Sequence, residues 1–341
     1  MILESVAPMP ERAQVTPAQF WTEIYPQQKP VVMRGLAAGW PAVKAAQTSD
    51  DAICEYLMAR DNGGNYSTFS GPGSISGRLF YNNDLSGFNF QIRNGRLGAV
   101  LDFIRSHADD EQPPAMAIQS LPVRQGMPGF MDENRLGLLD ESVEPRIWIG
   151  GRLIVAPHYD PSENVACVVA GRRRFTLFPP DQVKNLYIGP MELTPAGTTI
   201  SMVSVEEPDF ERHPQFREAL DAAMTAVLEP GDAIFIPLLW WHHVASLERL
   251  NILVNYWWGA PVSERNDPRD AMLHAMLALR HLPEIHRKAW RAMFDHYVFE
   301  ADPGEHLPPN RRGILAPRAN ERLGVLRQQL ANALLRRPPG K

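Results

Sequence analysis

The sequence predicts a mainly β protein, a sandwich or barrel of the jelly-roll kind, with α/β elements before it and helices after it. Three observations carry this. Short apolar runs bounded by Pro and Gly recur through the middle of the chain, as the strands of a sandwich or barrel do. Helical spacing of apolar residues is concentrated towards the two ends. The chain has 341 residues, 44% hydrophobic and 21% charged, which is ordinary globular usage and enough for a large core.

The elements divide into three regions. In the first, residues 1–112, Thr16 and Pro17 start a helix, Thr as cap and Pro in the first turn. Phe20, Trp21 and Ile24 follow at helical spacing. Residues 30–33 read as a strand. Ser49-Asp50-Asp51 caps a helix through Arg60, which Asn62-Gly63-Gly64 ends. Residues 79–81 read as a short strand, and 97–106 as a helix with Leu97, Val100, Leu101 and Ile104 on one stripe. The second region, 113–260, holds strand-like runs at 115–119, 146–149, 165–170, 174–178, 233–236 and 252–257. An excursion over 181–228 interrupts it, with a helical patch at 216–227; insertions of that length in a compact domain are usually functional.

The third region, 261–341, is helical. Residues 270–280 and 284–298 are apolar on one stripe each, separated by Leu282-Pro283. The Pro-rich stretch 301–317 reads as a linker. Residues 320–335 form a last helix striped with Leu323, Leu326, Leu330 and Leu334, and the tail 336–341 should fray. These helices either cap the barrel or form an interface between two copies.

The middle region carries a split triad. His158-Tyr159-Asp160 is followed about eighty residues later by Trp240-Trp241-His242-His243-Val244. Two imidazoles and one carboxylate are the facial set that holds a non-haem Fe(II) with positions left open. In an extended His-x-Asp, residues i and i+2 point to one side, so one short strand would present both ligands and a distant strand would supply the second His. A solitary His-x-Asp is a common chance tripeptide, and a His-His pair after two Trp also suits a buried aromatic corner. The surroundings favour the site: the turn Glu229-Pro230-Gly231-Asp232 launches an apolar run that stops at Pro237, just before the aromatic-His segment. Adjacent residues on a strand face opposite sides, so only one of His242 and His243 enters a site easily.

Several further pieces occur in register with the triad. They are Lys29-Pro30-Val31-Val32-Met33-Arg34-Gly35-Leu36, Trp40-Pro41, Trp148-Ile149-Gly150, Gly171-Arg172-Arg173-Arg174-Phe175-Thr176-Leu177-Phe178-Pro179-Pro180-Asp181-Gln182, Pro208-Asp209-Phe210 and Asn255-Tyr256-Trp257. Together, over roughly residues 15–260, the chain resembles the JmjC and cupin-like Fe(II)- and 2-oxoglutarate-dependent oxygenases. Among these it looks most like the asparaginyl-hydroxylase-like (factor-inhibiting-HIF-like) branch, which acts on proteins. The resemblance implies a double-stranded β-helix as the catalytic core. It also implies Fe(II), 2-oxoglutarate and O2 as the reacting set, succinate and CO2 as co-products, and hydroxylation of a protein or peptide side chain.

The family pattern places the second His ligand two before Val244. His158, Asp160 and His242 are then the metal ligands and catalytic set, with His243 second to them or on the surface. Arg173 shares strand parity with Phe175 and Leu177, so it faces inward if they do, and is the candidate anchor for the far carboxylate of 2-oxoglutarate. Relatives commonly carry Lys there. Asn164 and Asn255 match family positions that hydrogen-bond near the co-substrate. Two departures stand out: Val155 occupies a place that often holds a hydroxyl residue, and 115–121 has no counterpart of a frequent Tyr.

Other readings of the substrate remain: a small molecule or modified nucleoside, or no turnover at all in a metal-binding regulatory protein. A net charge of −5 gives no basic field for nucleic acid. Cys54 and Cys167 are the two cysteines, which excludes a disulfide framework and fits a reducing cytoplasm. The N-terminus carries no signal-peptide pattern and no run reaches membrane-helix length, so a cytoplasmic protein is expected. The resemblance also implies a homodimer through the C-terminal helices.

Overall fold

Strands buried on both faces organise the fold. In a computed structural model describing residues 2–195, 197–259, 267–316 and 320–335, every residue of Glu163–Ala170 is buried. Its side chains alternate between two cores: Val165, Cys167 and Val169 enter one, Ala166 and Val168 the other. Its antiparallel neighbours Ala233–Ile236 and Asn251–Trp258 alternate in step. Ala233 and Phe235 join the first core, and Ile234 and Ile236 the second.

These strands sit within a nine-stranded mixed sheet that runs from Glu11–Ala13 and Val31–Arg34 at one edge to Tyr66–Gly71 and Gln91–Gly95 at the other. A six-stranded sheet contains Met224–Leu228, Arg173–Phe178, Trp241–Ser246 and Ile154–His158 in that spatial order. The second core lies between the sheets, where Phe175, Leu177 and Val244 of the six-stranded sheet meet Val32, Ile234 and Leu253 of the nine-stranded one. The jelly-roll expectation is met as a sandwich of two large mixed sheets.

The first core covers the outer face of the nine-stranded sheet with the N-terminal elements. Thr16 and Gln19 close a capping box at Pro17–Gln19. The chain continues through a wider turn, Phe20–Ile24, that buries Phe20 and Ile24 while Trp21 stays partly exposed. Ser49 accepts from the Ala52 N–H and starts Asp50–Met58. Leu97–Ser106 buries the expected stripe of Leu97, Val100, Leu101 and Ile104. At about 1.5–3 kcal/mol for each large side chain fully buried, that stripe outweighs the helix's own propensity.

The Glu229-Pro230-Gly231-Asp232 turn is a hub. The Asp232 carboxylate accepts from the Gly35 and Glu229 N–H groups and pairs with Arg34, which also binds Glu11. Gly231, at φ +100°, lies against Ala38, where a side chain would collide.

Two expectations are corrected. The helical patch stops early: Phe216–Asp221 is helical, but Met224–Leu228 is a strand, because it pairs antiparallel with Arg173–Phe178. The excursion is packed, with Leu186, Val203, Val205 and Phe216 forming a core with Phe178 and Trp241. Finally, the expected linker is folded over 301–316: Arg312 binds Asp302 at 2.9 Å and donates to the carbonyls of Glu305 and Leu307. Its last residue, Pro317, and the tail 336–341 lie outside the described residues.

Met1–Ala260 and Pro261–Lys341 are separate compact units. The second contains Pro268–Leu279, Glu284–Phe294 and Asn320–Leu335, close to the expected helices. The Leu323 side chain is outside the described set.

Candidate metal centre

His158 ends Ile154–His158, and His242 lies directly opposite it in antiparallel register on Trp241–Ser246. The expected single strand for both early ligands is shorter than supposed. Asp160 lies just beyond it, in the connection to Glu163–Ala170. Pro161 follows, and a following proline disfavours the helical region at Asp160. One ligand atom from each of His158, Asp160 and His242 falls within 4.8 Å of the others.

The imidazoles are set for metal. His158 Nδ1 is 3.0 Å from the Ala156 carbonyl and His242 Nδ1 is 3.1 Å from the Trp240 carbonyl. A carbonyl only accepts, so each Nδ1 donates and each Nε2 offers its lone pair to the centre. His242 Nε2 is 3.6 Å from Asp160 Oδ2. Burial, reinforced by His242, pushes the His158 imidazole below its ordinary range and so favours the neutral form, the one that ligates metal.

His242 and His243 separate by strand parity. His242 pairs with Leu177 and faces the cavity; His243 pairs with Thr176 and faces away. His243 is fully buried, with Nε2 2.9 Å from Glu206 of the excursion, so it is not on the surface. Burial raises the Glu206 carboxyl, but His243 and the charge of Arg78 outweigh it and hold it below the usual range.

The triad opens on a cavity of about 390 Å³, in the size range of small-ligand sites. Arg173, Asn164 and Asn255 all line it, together with Val155, Trp148 and Trp257. Arg173 is buried, and among the described residues no carboxylate pairs with it; its Nε has no partner. Burial pushes its guanidinium down to about 10. A buried, unpaired cation facing a cavity is costly unless an anion meets it there. The donor set and this unpaired cation fit a divalent metal and an anion side by side.

The two asparagines form a relay. Trp148 Nε1 donates to Asn255 Oδ1 at 2.8 Å, Asn255 Nδ2 to Asn164 Oδ1 at 3.3 Å, and Asn164 Nδ2 to Asp160 Oδ2 at 3.1 Å. The excursion closes one wall. Thr198 Oγ1 donates to the Tyr159 carbonyl at 2.6 Å and the Ser201 N–H to the Pro157 carbonyl at 2.8 Å, while Pro195, Gly197 and Ile200 line the cavity.

The cupin-like domain family's sequence model matches residues 17–264. The chain belongs to the cupin-like domain family. Within this cupin-like chain, 153 residues, 44% of it and 26% of the relative, are 32% identical to Lysine-specific demethylase JMJ31 of Arabidopsis thaliana. A stretch of 120 residues, 35% of the chain and 28% of the relative, is 38% identical to Lysine-specific demethylase 8 of Danio rerio. Another of 113 residues, 33% of the chain and 32% of the relative, is 35% identical to tRNA wybutosine-synthesizing protein 5 of Gallus gallus. Each match therefore spans a third or less of the relative's length.

Sequence reasoning missed several residues of this cupin-like site. Gln119 and Ser120 line the cavity where the strand Ala115–Pro122 slips register, with Ser120 at φ +51°. The Trp257 N–H donates to Asp160 Oδ2 at 2.9 Å. The sequence marks Trp257 only as part of the Asn255-Tyr256-Trp257 motif, because parity shows which way a side chain faces and not what it meets.

Proposed function

We propose that this cupin-like protein is an Fe(II)- and 2-oxoglutarate-dependent oxygenase that hydroxylates a side chain of a protein or peptide, releasing succinate and CO2. The observation that carries the reading is the meeting of His158, Asp160 and His242 with the unpaired buried Arg173 in one cavity. Bound iron would supply activation of O2 coupled to oxidative decarboxylation of the co-substrate. The chain's own groups do the rest. His158 and His242 present Nε2, Asp160 presents its carboxylate, and Arg173 forks onto the far carboxylate of 2-oxoglutarate. Asn164 and Asn255 offer amides beside it, and Val155, Phe175, Val244 and Leu253 keep water from the cavity.

The asparaginyl-hydroxylase-like assignment within the family rests on the motif order Trp240-Trp241-His242-His243 and Asn255-Tyr256-Trp257. A nucleoside or small-molecule substrate is the second reading, favoured by the match to a tRNA wybutosine-synthesizing protein. We also propose a cytoplasmic homodimer joined by the C-terminal region, because Leu277, Ile285, Trp290 and Phe299 are exposed there. Among the described residues no helix is long and apolar enough to cross a membrane. Light scattering that finds a monomer would remove the dimer.

The test is anaerobic Fe(II) reconstitution followed by an aerobic succinate assay with 2-oxoglutarate, with and without a cell peptide extract. Succinate that needs His158 and rises with peptide is expected. Stimulation by tRNA or nucleosides instead would move the substrate class. Absence of turnover, with 2-oxoglutarate failing to bind the metal-loaded protein, would leave a metal-binding regulatory protein.

A further inference from the structure

Asp160 is the least supported of the three metal donors by its backbone. It lies past the end of its strand, where its carbonyl accepts one hydrogen bond, from the Leu239 N–H at 3.2 Å. The orientation of its carboxylate therefore depends on what binds its oxygens. Two N–H donors converge on Oδ2: Trp257 Nε1 at 2.9 Å and Asn164 Nδ2 at 3.1 Å. That oxygen is also the one 3.6 Å from His242 Nε2, so it faces the centre.

Trp257 is itself held firmly. Trp148 packs edge-on against it, with ring centres 6.0 Å apart, and the Arg146 guanidinium lies 5.7 Å from its ring centre. Arg146 is tied in turn to the carbonyl and hydroxyl of Ser120, the strained residue at the slipped strand. The neighbouring Trp258 faces the other side of the sheet, against Phe20 and Phe235, and its Nε1 meets no acceptor among the described residues.

We propose that Trp257 is a positioning residue for the metal centre. Its indole N–H, a donor that never titrates, fixes the Asp160 carboxylate and draws charge from the oxygen facing the metal. Asn164 is the second donor, held by Asn255 and Trp148. The nine-stranded sheet thus sets the direction and donor strength of a ligand it does not carry. This rests on the reading of His158, Asp160 and His242 as metal donors.

The experiment titrates the full-length protein with Mn(II), followed by electron paramagnetic resonance, and records the visible spectrum of the Co(II) form. Wild type is compared with Trp257→Phe and Trp258→Phe, and melting curves without metal confirm that each is folded. Trp257→Phe should weaken Mn(II) by about tenfold, as loss of a ligand's outer partner typically does, and shift the Co(II) bands. Trp258→Phe should leave both unchanged. If Trp257→Phe does not fold, benzothienylalanine at 257 keeps the ring shape and removes the N–H, with the same result expected. Metal binding by wild type, with affinity and spectrum unchanged in the variant, would overturn the role of Trp257 and leave the metal centre standing. Wild type that binds neither metal would overturn both.

Discussion

The six-stranded sheet brings His158, Arg173 and His242 to the cavity, whereas the nine-stranded sheet brings Trp148, Asn164, Asn255 and Trp257. The first set titrates or carries charge and faces where metal and anion would bind. The second is neutral, and its amides and indoles bond to one another and to Asp160. Asp160 stands between them, on the connection that crosses from one sheet to the other. Of the two sheets, the nine-stranded one carries the packed N-terminal elements on its outer face and has two of its strands buried throughout. A rigid support for hydrogen bonds is the better place for neutral groups, because each buried bond left unmade costs about 1–3 kcal/mol.

The largest break in this comparison is His158→Ala, which should abolish measurable Mn(II) binding in the same titration. That loss should exceed the about 10–100-fold expected when only an outer partner is removed.

Arg173→Met comes next and acts in two directions. It should weaken 2-oxoglutarate by about 10–100-fold in calorimetry of the metal-loaded protein, the worth of a charged hydrogen bond or a pair of them. Without co-substrate the same variant should melt no lower than wild type, because it removes a buried cation that has no anionic partner among the described residues. A clear drop in melting temperature would show that Arg173 is paired in the free protein.

Trp148→Phe tests the neutral sheet. It leaves Asn255 Oδ1 without its donor and should cost about 1–3 kcal/mol in urea unfolding, with Mn(II) affinity changed less than in Trp257→Phe.

Glu163→Gln is the smallest. Glu163 starts the strand after Asp160 and accepts from the Leu238 N–H at 3.1 Å, while burial holds its carboxyl above the usual range. A raised folded-state pKa means that stability is lost as pH rises through it. Gln keeps the acceptor and removes the charge, so the variant should melt slightly higher than wild type at neutral pH. The gain should vanish below about pH 4, where both states protonate.

Most of the fold was legible because burial imposes a period on the sequence. Strand Ala233–Ile236 and helices Leu97–Ser106 and Asn320–Leu335 fall where apolar spacing placed them. The segment Met224–Leu228 did not, since it follows a true helix and becomes a strand only by pairing with Arg173–Phe178, about fifty residues away in sequence. Glu206 was equally illegible, because nothing local marks the residue that will meet His243.

By itself the sequence determined which residues are the candidate ligands, the parity that turns Arg173 inward, and the family to which the chain belongs. Those follow from alternation and from motifs whose spacing survives without knowledge of contacts. Only the tertiary structure decided that His242 faces the cavity across from Leu177 while His243 backs onto Glu206, and that Asp160 takes two hydrogen bonds from the opposite sheet. Register and cross-sheet contacts join residues far apart in the chain, so no local pattern encodes them.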